Sequence, residues 1–176
     1  MLQYRIEGLD ELLKKASPTI LREPLKRFFE RSAITVQGKA RAGAPVDTGH
    51  LRNSIQYEVD KGSSSGLPQY AKVGFLNAAE GSPLYFKARA MEFGTGSQGD
   101  PSVSHRSTHS PPGPALQVWA ERHGFKSGYQ VARIIAKRGG LKPRPFLRPA
   151  LQNSLGEIRG FVRTLGDEIR AAWDKK

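Results

Sequence analysis

The apolar positions of this 176-residue chain change period several times, and each change marks a predicted element. Gln3–Leu9 alternates weakly, which predicts a short first strand, and Asp10 then caps a turn or two of helix ending near Ala16. Ser17 and Pro18 form an N-cap followed by proline at the first helical position. Beyond them Leu21, Leu25, Phe28, Phe29, Val36 and Ala40 recur at helical spacing, with Arg22, Lys26, Arg27, Arg31, Lys39 and Arg41 on the opposite face. This predicts a long helix, with Pro24 near its first turns as a place for a kink. The period then drops to two: Leu51, Ile55, Tyr57 and Val59 fall on one face, and Arg52, Ser54, Gln56, Glu58 and Asp60 on the other. That alternation predicts a half-buried strand, joined through the polar loop Lys61–Pro68 to a returning strand over Tyr70–Leu76.

The second half is less regular. Leu84–Phe93 is apolar without a clear period, and the glycines of Met91–Gly96 predict a sharp reversal at a strand end. Ser97–Pro114 has no pattern and reads as a binding arm or a disordered stretch, the start of an insertion over residues 97–140. Within it, Ala115–His123 and Ser127–Lys137 predict short helices, with Leu116, Trp119, Val131, Ile134 and Ile135 inward and Gly139-Gly140 as the stop. Pro143–Pro149 reads as an extended, proline-stiffened connector anchored by Phe146 and Leu147, its arginines outward. In the last helix Leu151, Leu155, Ile158, Val162, Leu165, Ile169 and Ala172 step by four and three. Such a stripe packs on the chain's own sheet or, alternatively, touches another copy.

The corner between the long helix and the first strong strand carries the most specific local chemistry. Pro45 fixes its own φ, Asp47 and Thr48 can bond nearby backbone N–H groups, and Gly49 can take a positive φ. An Asp-Thr-Gly triplet also occurs in aspartic proteases, but that chemistry needs two carboxylates sharing a proton, and the chain has a single triplet. Asp47, Glu92 and His50 are the only imaginable acid–base set, and nothing in the sequence places them together. His105 and His109 have the spacing of helical metal ligands, yet Pro101, Pro111 and Pro112 oppose a helix there. With no Gly-rich phosphate loop or nucleophile elbow, neither an enzyme nor a cofactor is expected.

Length and charge bound the rest. One domain over residues 1–176 is the default, and the absence of cysteine excludes disulfides and thiolate zinc sites. No apolar run reaches the roughly 20 residues of a membrane span, so the expectation is a soluble protein made in the cytoplasm, with no membrane partner. A net charge of +12 calls for a negative partner, nucleic acid first and an acidic protein surface second. Lys126, Arg133, Lys137, Arg138, Lys142, Arg144 and Arg148 form the most basic region, with no acidic residue between the first and the last.

Three signatures, Ala44–Ile55, Met91–Gly96 and Pro143–Leu151, in that order resemble the small tail-completion, or head–tail joining, proteins of long-tailed bacteriophages. The resemblance covers roughly residues 18 to 172 and implies an α+β fold. In it a small twisted antiparallel β-sheet is packed by a long N-terminal helix and a C-terminal amphipathic helix. On this chain the family's turn falls on Pro45, Asp47, Thr48 and Gly49, with its strand starting at Leu51 and Arg52. The second element falls on Glu92, Phe93, Gly94 and Thr95, and the third on Arg144, Pro145 and Phe146. The resemblance further implies a non-enzymatic virion protein of the neck or tail end, assembled in the host cytoplasm as a ring, commonly of six copies. Its partners would be the connector, tail terminator and tail tube proteins and the double-stranded DNA in the channel. Six copies of a +12 chain carry a formal +72, against roughly 24 phosphates along about 40 Å of duplex. Acidic neighbours would have to balance the remainder. The alternative is a cytoplasmic basic nucleic-acid-binding protein, although the basic region lacks a recognition-helix motif or aromatic stacking platforms.

Overall fold

The computed structural model describes residues 18–62, 66–102 and 111–174. In chain order these form α1 (Pro18–Gly43), α2 (His50–Asn53), β1 (Gln56–Val59), β2 (Ala71–Gly74) and α3 (Pro83–Phe93). A 3-10 turn (Gly96–Gln98), α4 (Gly113–Arg122), α5 (Gly128–Lys137) and α6 (Leu147–Asp174) follow. The fold is α+β, with β1 and β2 as an antiparallel pair. The sequence-predicted strand over Gln3–Leu9, the helix after Asp10, and both His105 and His109 lie outside the described residues.

The described chain divides into two compact units, one comprising residues up to Lys39, Ile55–Leu76 and residues from Ala150, the other Ala40–Ser54 and Asn77–Pro149. In the first unit, α1 buries Ser32, Ala33 and Val36, and the Ser32 hydroxyl donates to the Phe28 carbonyl (2.8 Å) so that no polar group is stranded. Gln37 Nε2 donates to the carbonyl of fully buried Ile55 (2.9 Å), which ties α1 to the start of the hairpin. The hairpin pairs Gln56 with Gly74 and Val59 with Ala71, and Asp60 N–H to the Tyr70 carbonyl (3.0 Å) extends it by one rung.

Ion pairs give the direction of the long helices within this unit. Arg27 and Arg31 both reach Glu168 (2.8 and 3.3 Å), while Lys39 reaches Glu157 (2.6 Å) and the Asn153 carbonyl (2.7 Å). Rising numbers on α1 meet falling numbers on α6, so the helices run antiparallel over about 17 Å of rise. These pairs are half exposed, and each contributes about 1 kcal/mol or less.

Several expectations are revised. The strand predicted from Leu51 begins only at Gln56, because Gly49 (φ 78°) opens the one-turn helix α2, closed by Asn53 N–H to the Gly49 carbonyl (2.9 Å). Leu51 and Ile55 are buried as expected, but their separation of four suits a helical turn as well as a strand. The returning strand is shorter than predicted. Leu84–Phe93 belongs to a helix, started by Pro83 and by Ser82, whose hydroxyl accepts from Tyr85 N–H (3.2 Å). The reversal at Met91–Gly96 therefore ends a helix, not a strand. The predicted connector gives way to α6 already at Leu147, with Pro149 in the first turn, where a missing N–H does no harm. Along α6 the buried positions are Ala150 and Ser154, whereas Leu151, Leu155 and Val162 are exposed. The predicted stripe is thus split lengthwise, and only Ile158, Leu165, Ile169 and Ala172 are half-buried.

In the second unit, α4 and α5 pack as a helical hairpin on Ala120, Val131 and Ile135, flanked by Leu116, Trp119, Phe125 and Leu141. The Trp119 ring stacks on His123 (4.0 Å between centroids) and on Phe125 (5.8 Å). Ser127 caps α5, and Gln117 Oε1 accepts from Gly128 N–H (2.9 Å), locking the turn between the two helices.

Ile55→Ala is expected to cost about 2–5 kcal/mol of unfolding free energy, as for other fully buried aliphatic side chains. Leu155→Ala should cost less than about 1 kcal/mol, being exposed. Denaturant titration checks both, and equal losses would contradict the burial pattern.

Candidate assembly site around Glu92

Glu92 closes the last turn of α3 and is only 3% exposed. A carboxylate taken out of water needs compensating donors, and the first N–H groups of a helix need acceptors. The two demands meet here. Oε2 accepts from Phe146 N–H (2.8 Å) and Leu147 N–H (2.9 Å), and Oε1 from Arg148 N–H (3.0 Å) and Arg148 Nε (3.3 Å). The carboxylate therefore caps α6 and sits where the helix dipole favours negative charge.

Arg148 continues the network. Its guanidinium lies over the Phe93 ring (4.9 Å to the centroid), and Nη1 donates to Asp100 (2.6 Å). Asp100 also accepts from the Ser102 hydroxyl (2.6 Å) and Ser102 N–H (2.9 Å). These Ser102 bonds, with the Arg148 pair, hold its carboxyl at about 2, below the ordinary 3.8. Asp100 N–H donates to the Phe93 carbonyl (2.7 Å), which fixes the segment beneath the guanidinium.

A backbone zipper extends the contact. Arg144 N–H donates to the Met91 carbonyl (2.7 Å), Thr95 N–H to the Leu141 carbonyl (2.9 Å), and Ser97 N–H to the Gly139 carbonyl (2.8 Å). Thr95 Oγ1 accepts from Leu141 N–H (3.0 Å). Gly94 is required in the middle: it has φ 72°, and a Cβ there would stand 2.6 Å from the Leu141 carbonyl oxygen. Two of the three signatures thus bind each other directly.

The third reaches the same unit. Asp47 forms a two-pronged ion pair with Arg122 of α4 (3.2 and 3.3 Å), Thr48 Oγ1 accepts from His50 N–H (3.4 Å), and α2 packs against α3. Gly43, just before the corner, lies against Phe146, which is 1% exposed; a Cβ at Gly43 would be 3.6 Å from the Phe146 Cβ. Pro45 is half-buried and Arg52 exposed. Asp47, Glu92 and His50 are not gathered into one cluster: Asp47 faces Arg122, Glu92 the start of α6, and His50 is exposed.

Residues 6–94 match the model of the HK97-gp10-like family, described as "Bacteriophage HK97-gp10, putative tail-component". The match takes in just over half of the chain. The chain belongs to this family. No curated protein matches it, and neither does any solved structure. The matched part of this tail-component family member ends at Gly94, so it supplies the Glu92 carboxylate, while the N–H groups that the carboxylate binds come from beyond the match. Lys126, Arg133, Lys137, Arg138, Lys142 and Arg144 also lie beyond it; all are exposed and none forms an ion pair with a described residue. Arg148 differs, its guanidinium being engaged by Glu92 and Asp100. Sequence reasoning missed Asp100 and Arg122, since neither carries a periodic or motif signal of its own.

Glu92→Gln keeps the shape but turns an amide N–H toward backbone N–H groups. It is expected to destabilise the fold by about 2 kcal/mol or more, and Glu92→Ala, which leaves the same N–H groups without an acceptor, by a similar amount; a neutral Glu92→Gln in thermal or denaturant unfolding would contradict the cap. For Asp100 the folded carboxyl titrates below its unfolded value, so its stabilisation is complete above pH 3.8 and lost as pH falls toward about 2. Asp100→Asn should therefore flatten the acid-induced drop in melting temperature across that window, and an unchanged drop would show that the carboxylate contributes nothing.

Proposed function

We propose that the protein is a non-enzymatic structural subunit of the phage neck or tail end, a tail-completion or head–tail joining protein. It forms a ring, of six copies, around the DNA that passes between head and tail. In the virion it is stacked among the connector, tail terminator and tail tube proteins, after assembly in the host cytoplasm.

Membership of the tail-component family carries this reading. Two surface features support it. Leu151, Leu155, Val162 and Trp173 line α6 at 36–52% exposure, apolar area of the kind that subunit contacts cover. The charge of +12 suits a surface that meets polyanions and acidic neighbours. Among the described residues, no helix is long and apolar enough to cross a membrane.

The test is the solution mass of the nuclease-treated protein at low and high salt. A discrete species at six times 19.4 kDa, favoured as salt screens self-repulsion, is expected. A protein that stays monomeric at every salt concentration and is absent from virions would overturn the ring. Gly49→Val, which places a β-branched residue at φ 78°, is expected to remove infectious particles; normal titres would contradict a rigid corner.

A further inference from the structure

The outer face of α5 is not used by the hairpin core. Ser127, Tyr129, Gln130, Arg133, Ile134 and Lys137 line an open groove of about 250 Å³. Tyr129 is 64% exposed at its edge. Arg133 and Lys137 stand one turn apart, about 6 Å of rise, and neither forms an ion pair with a described residue. The Gln130 side-chain oxygen accepts from Lys126 N–H (3.0 Å), which holds the chain at Lys126 against the start of α5.

The composition of this face selects the partner. From Lys126 to Arg144 the chain has six cations and no carboxylate, and two of them, Arg133 and Lys137, line this groove. Tyr129 and Arg133 are residue types that both protein and nucleic-acid interfaces use, but Lys137 is of a type depleted in protein interfaces, and two cations one turn apart without a carboxylate between them favour a polyanion. Nucleic-acid interfaces are polar and strongly positive, and their phosphate contacts come from Lys, Arg, Tyr and Ser side chains such as those lining this groove. Gln130, the one amide that could read a base edge, has its oxygen engaged by the backbone.

We propose that the α5 groove, with Arg133, Lys137 and Tyr129, holds the phosphate backbone of duplex DNA irrespective of sequence. The polyanion site follows from the groove alone; the choice of duplex DNA rests on the neck reading above. The site lies beyond the family-matched residues 6–94.

The test is fluorescence anisotropy of the full chain with labelled duplexes of two unrelated sequences, between about 50 and 200 mM salt. Equal affinity for both duplexes is expected. Arg133→Gln combined with Lys137→Gln should weaken binding by roughly tenfold and reduce the salt slope by about 2. The control, Arg159→Gln with Arg163→Gln, removes the same charge from exposed positions of α6 and should leave the slope near that of the unmodified protein. Equal effects of the two double variants, or tighter binding of poly-glutamate than of duplex, would overturn the site. Failure here is separable from failure of the neck reading. A double variant that enters virions and keeps the full salt slope overturns the groove alone, whereas a slope change in a protein that never enters virions supports the groove and removes the neck.

Discussion

The second unit depends on one buried carboxylate. Glu92 without donors would be an uncompensated charge in the interior, and the start of α6 without an acceptor would leave backbone N–H groups unsatisfied. Each defect cures the other, which is why removing either partner strands the one that remains. The same contact sets the register of the zipper between Met91–Ser97 and Gly139–Arg144, since the two segments leave Glu92 and Phe146 side by side. The described residues 98–102 and 111–138 then belong to an excursion closed at its base. Such an excursion needs only a small core of its own, and α4 and α5 supply it around Ala120, Val131 and Ile135.

Charge is distributed by the same logic. The carboxylates of Asp47, Glu92, Asp100, Glu157 and Glu168 are engaged within their units by Arg122, Arg148, Lys39, Arg27 and Arg31. The cations Arg133, Lys137, Arg138, Lys142 and Arg144 of α5 and of the segment after it are exposed and form no ion pair with a described residue, so their charge is not cancelled there. Copies brought together in a ring would repel through it, and salt or a polyanion would relieve that repulsion.

The two long helices were legible in the sequence because their apolar residues keep one period over many turns, and Ser127 and Gly139 marked the ends of α5 through ordinary cap chemistry. Gly49 was legible too, as a residue free to take positive φ. What failed was short. α2 is a single turn, and Leu51 and Ile55 satisfy helix and strand spacing alike. α3 is apolar along much of its length, but it buries only small Ala88 and charged Glu92 while Phe86 is exposed, so its apolar positions set no period. The side of α6 that is buried was misjudged because Ala150 and Ser154 are small and, for serine, polar, while bulkier Leu151 and Leu155 remain outside. The three motifs were each visible, but that Glu92 accepts from the residues after Pro145 is a fact of tertiary geometry, across 54 positions of chain.

The most direct measurement of the central claim is the copy number of this protein in purified particles, by quantitative mass spectrometry against the major tail protein. A structural ring subunit built on this fold is expected at a small fixed number, six per virion. Its absence from particles, or an amount that varies from one preparation to the next, would contradict a structural place in the neck.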